Sequence, residues 1–343
     1  MNMRTKTCAA VGSVAVVALA LTGCGSTDAG DDETAASTVD IRFGHLYETT
    51  HPFHECGAAP FAEAINGSDL GMNVEVFPAS QLGNEQELVQ SIASGDLDIA
   101  LGGPGAVANW YAPISVLDAA YVVDDWDHMK RVWDSEIGDE FRAGLEESDI
   151  VPLDLWLYGS RHLTTGDKAI RSPEDLTGLK IRAIDTPISL ANAAALGSSP
   201  VPVAFDELYI ALSQGVVDGQ ENPIPTIDSL NLYEVQGYLN LTGHLLQSTV
   251  MLASTGLVDR LDDDQLAMIQ DEMVAAGDRV RECVETIETD RLAEWEESGA
   301  WTEIVYPEDI DLEAFRENAQ SQLPAQFSDT WGDLYERVRA MAD

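Results

Sequence analysis

The run Gly215-Val216-Val217-Asp218-Gly219-Gln220-Glu221-Asn222-Pro223 passes from apolar residues into three adjacent amide and carboxylate side chains, then stops at a proline. Such side chains at the end of an apparent strand are costly to bury unless something hydrogen-bonds them. Two arginines raise the same question. Arg182 lies within Leu179-Lys180-Ile181-Arg182-Ala183-Ile184, and Arg161 follows the strand-like Leu155-Trp156-Leu157-Tyr158-Gly159-Ser160. A guanidinium in an apolar strand requires a partner, and its planar fork suits bidentate pairing with a carboxylate. That carboxylate is one of the chain's own acids or belongs to a solute. For each arginine taken alone the residues leave both open.

Other chemistry is thin. There is no Gly-x-Ser-x-Gly elbow, no glycine loop ending in Lys-Ser/Thr to cradle phosphate, and no His-Glu-x-x-His. The densest group of potential metal ligands is Glu48, His51, His54, Glu55 and Cys56. Zinc needs three or four converging ligands, and a second set at motif spacing is absent. The group reads instead as a loop and helix start at the mouth of a lobe, with His51 and His54 capping or contacting solute and Glu48 a candidate solute contact. No metal, cofactor or catalysed reaction is expected.

The elements that must position these residues alternate. Residues 39–46 alternate like a strand, 54–65 have helical spacing, and 72–77 alternate again. Residues 85–94 read as a helix ended by Gly95, and 97–101 as a strand. Later, Ser172-Pro173-Glu174-Asp175 combines an N-cap, a first-turn proline and acids suited to a helix dipole. Strand 179–184, helices 188–196 and 206–214, and strand 216–219 follow. This is the grammar of α/β lobes with helices on a largely parallel sheet. Residues 92–98 and 212–218 share a plan of helix end, glycine, one residue, apolar residue, aspartate, which favours two similar lobes. Residues 263–298 read as one helix, with Leu266, Ile269, Met273, Ala276, Val280, Cys283 and Ile287 three or four apart. At about 1.5 Å per residue it spans roughly 50 Å, enough to brace both lobes. Residues 331–341 read as a closing helix. The expected division is residues 39–157 with about 248–285 in lobe 1, and 158–247 with about 286–343 in lobe 2.

The chain has 343 residues, 60 acidic against 18 basic, for a formal net charge of −42. A phosphate backbone would be repelled, so nucleic acid is excluded as a partner. At the N-terminus, Arg4 and Lys6 precede an apolar stretch, residues 11–21, too short to span a bilayer. It ends in Leu21-Thr22-Gly23-Cys24, which looks like a bacterial lipobox: residues 1–23 form a signal cut before Cys24, whose thiol is lipidated. Residues 24–38 then form a flexible tether between lipid and domain. Export leaves Cys56 and Cys283 as either a disulfide or two buried thiols.

The stretches "GSRHLTTGDKAIRSPEDLTGLKIRA", "PVPVAFDELYIALSQGVVDGQENPIPTI" and "YEVQGYLNLTGH" resemble the DctP-type solute-binding proteins of TRAP (tripartite ATP-independent periplasmic) transporters. The earlier "FPASQLGNEQELVQSIASGDLDIAL" fits the same family, so the resemblance covers residues 39–343. It implies a two-lobed α/β clamp with a long helix across both lobes and a cleft that closes on an organic acid for a membrane permease. By the same resemblance, Arg182 is the carboxylate-binding arginine and Arg161 a second arginine reaching the same ligand. Asn222 is a contact from the Gln-Glu-Asn stretch, and Phe205 an aromatic packing on the solute. The chain departs from sialic-acid-binding members at Gly102-Gly103-Pro104-Gly105, where they carry a glutamate, and at Asp185, where they carry an asparagine. Asp185 suits a hydroxyl or amino group, so a sugar acid or hydroxy acid leads, with a C4-dicarboxylate or keto acid behind. The competing readings are a receptor for an ATP-driven importer or sensor, and a secreted metal-dependent enzyme using His51, His54 and Cys56.

Overall fold

The computed structural model describes residues 38–342. Its centre is a nine-stranded mixed sheet in the order β2-β1-β3-β8-β4-β7-β5-β6, with β9 paired to β8. The strands are β1 (Val39–Gly44), β2 (Met72–Phe77), β3 (Ile99–Gly102), β4 (Ile150–Thr165) and β5 (Lys180–Ala183). They continue with β6 (Ser199–Pro202), β7 (Gly219–Pro223), β8 (Tyr238–Ser254) and β9 (Glu303–Val305). The outer pairs are parallel, as expected, but β3-β8, β8-β4 and β4-β7 are antiparallel. The long β4 and β8 therefore run from one lobe into the other. Their ladder shifts register between Leu157 and Gly159 and again between Arg161 and Leu163. Gly159, at φ +123°, occupies a conformation open to glycine, and an added Cβ would meet a Glu288 oxygen at 2.7 Å.

The repeated plan is realised in three dimensions. Gly95 (φ +75°) and Gly215 (φ +66°) each end a helix in the left-handed conformation. Asp98 Oδ2 then accepts the backbone N–H of Arg42 at 2.8 Å, and Asp218 Oδ2 accepts that of Lys180 at 2.7 Å. Phe43 pairs with Ile99 and Ile181 with Gly219, so the two halves share a register.

The long helix runs Asp263–Ser298, 36 residues, as its apolar spacing predicts. Asp262 and Gln265 form its capping box, and Gly299 closes it in the left-handed region. Ile269, Met273, Ala276, Val280 and Val284 are its buried stripe, packed with Trp156 and the β1 side of the sheet. Cys56 and Cys283 are disulfide-bonded, joining the turn Phe53–Ala58 to this helix. Residues 286–343 divide their packing. Trp295 and Trp301 join the core beneath β8, while Trp331 donates to Ser115 and Arg337 pairs with Glu140.

One expected strand moves. Residues 216–218 are a bend, and the strand is Gly219–Pro223 itself, buried throughout. The Gln-Glu-Asn run does not end a strand; it is one. The expected helix over 206–214 begins as a 3-10 turn, Phe205–Glu207, and continues as Leu208–Ser213.

Candidate functional site

A cavity of about 260 Å³, continuing inward through about 30 Å³, lies between the two halves. From the first half it is walled by Leu46 and by Asn84, Glu85 and Gln86 at the start of the helix Glu85–Ala93. From the second it is walled by Arg182 and Ile184 at the end of β5 and by Phe205. Asn222 and Arg161 reach its inner end. Gln86 Nε2 donates to the Asp185 carbonyl at 2.7 Å, and Phe205 meets Tyr47 edge to face at 5.7 Å, so contacts cross the cleft on both flanks.

The buried polar strand β7 is satisfied side chain by side chain. Gln220 donates to Thr164 at 3.0 Å, and Asn222 donates to Gln220 while accepting from Tyr158 at 3.3 Å. Glu221 takes two hydrogen bonds from Arg161 (Nη2 to Oε1 at 2.9 Å) and lies 3.3 Å from His244 Nε2. Burial opposes the charge of Glu221, but Arg161 and His244 outweigh it and hold the carboxyl at about 2. Arg161 is in turn kept above its ordinary value by Glu221 against the cost of burial. Its Nη1 donates to Gln247, whose Nε2 donates to Asp118 at 3.2 Å.

Arg182 is placed differently. It is 2% exposed, its Nε donates to the Val203 carbonyl at 2.9 Å, and among the described residues no carboxylate lies within ion-pairing distance. Burial first, then the neighbouring Arg161, lowers it to about 10. Arg182 lines the cavity, and among the described residues neither Nη group has a hydrogen-bond partner. A buried guanidinium with a free fork is an unfilled half of a bidentate pair.

Of the residues picked from sequence, Arg182, Arg161, Asn222, Phe205 and Asp185 come together around the cavity. Asp185 is exposed at its rim, and Arg161 is committed to an internal acid. Glu48 is exposed and does not line it. The ligand-like group around it disperses: Cys56 is in the disulfide, His54 Nδ1 faces His45 Nε2 at 3.1 Å, and His51 Nε2 faces Thr226 at 3.2 Å. Among the described residues no metal-binding group of three or more His, Cys, Asp or Glu side chains forms. Cys24 lies outside the described residues.

Sequence reasoning missed Glu85. Its Oε1 accepts the Gly103 N–H at 2.7 Å; burial raises the carboxyl, while Gly103, Arg182 and Arg161 pull it down. A signal was available. Glu87 alone completes the capping box with Asn84, leaving Glu85 as a first-turn acid not needed for the cap. Asp118 was missed too: it is buried, accepts the Gly105 N–H at 2.8 Å, and burial pushes it up to about 7.

An interlobe cavity with one free guanidinium can hold an anion, and the class this defines is a solute-binding clamp. Comparison with known proteins agrees. Residues 43–330 match the family described as bacterial extracellular solute-binding protein, family 7. The sialic acid-binding periplasmic protein SiaP of Vibrio cholerae is 34% identical over 250 residues, 73% of this chain and 76% of that protein. The sugar acid binding protein DctPAm of Advenella mimigardefordensis, solved with galactonate, superimposes with a TM-score of 0.83 at 28% identity, covering 89% of this chain and 98% of that one. A TRAP periplasmic solute-binding protein of Sulfurospirillum deleyianum with bound succinate gives 0.80 at 28% identity, covering 89% and 99%. The chain belongs to this family, the DctP-type receptors of TRAP transporters. It is a transport receptor and not an enzyme.

Proposed function

We propose that the chain is a lipid-anchored extracytoplasmic receptor that captures a small organic acid and delivers it to TRAP permease subunits in the membrane. The observation that carries this reading is the buried, unpaired fork of Arg182 in the cavity. The solute carboxylate seats on that fork, Phe205 covers it, and Asn222 bounds its inner end. Asp185 at the rim receives a hydroxyl, which ranks a sugar acid or hydroxy acid before a C4-dicarboxylate or keto acid. Relatives solved with galactonate and with succinate support an organic acid as the class. The permease supplies the energy from an ion gradient. Among the described residues no helix is long and apolar enough to cross a membrane. The proposed attachment is through lipidated Cys24.

A thermal-shift screen of the purified full chain against uronates, aldonates, dicarboxylates, keto acids and amino acids tests the reading. A true solute at about a hundred times its Kd stabilises by about 2.7 kcal/mol. A screen flat for every carboxylate would defeat it. Cys24→Ser should release the protein from the membrane fraction with solute binding intact. Wild-type protein found unlipidated and soluble in its own host would remove the anchor from the proposal.

A further inference from the structure

The cavity carries an unexpected charge balance for an anion receptor. Its walls hold Glu85, Asp185 and Glu207 against Arg182 and Arg161. Arg161 is already occupied by Glu221 and Gln247, and Asp118 and Glu221 stand directly behind it. One guanidinium fork is therefore free, and the acids around it outnumber it. Glu85 is central among them because it lines both the outer and the inner part of the cavity. Its Oε1 is occupied by the Gly103 N–H, and its Oε2 has no donor among the described residues.

A solute whose carboxylate takes the Arg182 fork meets acceptors on the facing wall. A hydroxyl or ammonium can donate to Glu85 Oε2. A second carboxylate cannot: it would bring another anion into a poorly solvated space beside Glu85, with no second free cation to receive it. The overall charge of −42 adds to the penalty for a dianion at long range. Resting on the organic-acid reading above, we infer that the solute is a monocarboxylate bearing a hydrogen-bond donor received by Glu85, and that Glu85 is the residue that excludes dicarboxylates.

Two matched pairs of probes isolate the second charge. Galactonate and galactarate differ only in oxidation of the terminal carbon, as do erythronate and meso-tartrate. Calorimetric titration of the purified full chain should find the monoacid of at least one pair bound at least tenfold more tightly than its diacid. Glu85→Gln keeps an acceptor for Gly103 and removes the charge; it should narrow that ratio at least tenfold, chiefly by gaining the diacid. Reading the ratio within one preparation makes the result independent of how much of the variant folds. Equal affinities in the wild type, or an unchanged ratio in Glu85→Gln, overturn the inference and leave the organic-acid reading standing. If none of the four acids binds and the thermal-shift screen is flat as well, both fall together.

Discussion

Arg161 and Glu221 form a buried, doubly hydrogen-bonded ion pair, and that pair divides the labour between the two arginines of the cleft. Arg161 has its counter-charge inside the protein. Arg182, in the same cavity, has none, and the positive charge of Arg161 weighs against its own. The two guanidiniums should therefore respond to removal in opposite ways.

Arg182→Ala is expected to lose solute affinity by on the order of 2–5 kcal/mol, the usual cost of truncating one partner of a buried charge pair. The empty variant should melt close to wild type, because a desolvated cation without a partner contributes little to stability. Arg182→Lys keeps charge without the fork and should lose much of the affinity too. Arg161→Ala leaves Glu221 charged and buried, and should destabilise the empty protein by about 3–5 kcal/mol. Calorimetry beside melting curves reads both. An Arg182→Ala variant that binds normally, or whose empty form melts far below wild type, would show that Arg182 is structural.

Three acids make stability depend on pH in an uncommon direction. Burial raises Asp118 and Glu288 to about 7 and Asp154 to about 6, above unfolded values of about 4. Between those limits the folded state keeps protons that the unfolded chain releases. Their contribution is thus fully present below about pH 4 and lost as pH rises through 6 to 7, by about 1.4 kcal/mol per pH unit for each linked group. Glu221, held at about 2, works the other way and withdraws its contribution as pH falls from about 4 toward 2. Burial also holds His45, His51 and His162 down at about 3, below an unfolded value of about 6.5, so they withdraw stability as pH falls below about 6.5 and offset the acids there. The melting temperature of the empty protein should therefore rise from pH 8 to about pH 6.5, and Asp118→Asn should flatten that rise. A melting temperature constant or increasing with pH across the window would refute the assignment.

Salt should help both stability and capture. Self-repulsion at a net charge of −42 opposes the compact state, and an anionic solute approaches against the same field. The Debye length falls from about 30 Å at 0.01 M to about 3 Å at 1 M, which screens that outer field more than contacts inside the cavity. Melting temperature should climb with salt, and the association rate should hold steady or quicken. Stopped-flow binding at several salt concentrations decides it; a steep loss of on-rate would reveal a local positive funnel instead.

The Cys56–Cys283 bridge closes a loop with a sequence separation of 227. Replacing both cysteines by serine should cost about 2–5 kcal/mol in denaturant unfolding, through the freedom returned to the unfolded chain. Solute affinity should be unchanged, since neither residue lines the cavity. A stability equal to wild type would show that the cross-link is not maintained in solution.

What could be read from sequence follows from how local each cause is. The long helix was legible to its ends because Asp262, Gln265 and Gly299 mark them and Ile269 to Val280 set the face. Arg182 was legible because a cation between Ile181 and Ala183 admits few explanations. Strand β7 was misplaced because Gln220, Glu221 and Asn222 break the apolar pattern of a central strand. Their partners Thr164, Arg161 and Tyr158 lie 56 to 64 residues away. Glu85 stayed hidden because an acid in a first helical turn already has a sufficient local reason. Its place opposite Arg182 depends on two halves meeting, which no window of sequence contains.

The shared register of β1-β3 and β5-β7 has a consequence for anyone who would re-engineer this receptor. Counting from the matched aspartates, Arg182 corresponds to Gly44 and Asn222 to Gly102. A Cβ at Gly44 would press on Leu88 and Leu97 at 3.0 and 3.1 Å, and one at Gly102 on Val89 and Val107 at 2.7 and 2.9 Å. Side chains like Arg182 and Asn222 therefore cannot be transplanted to the opposite jaw without rebuilding its helix packing. On the proposed reading, retargeting the receptor is confined to the wall that Glu85 occupies, where a side chain can be exchanged while Arg182 stays in place.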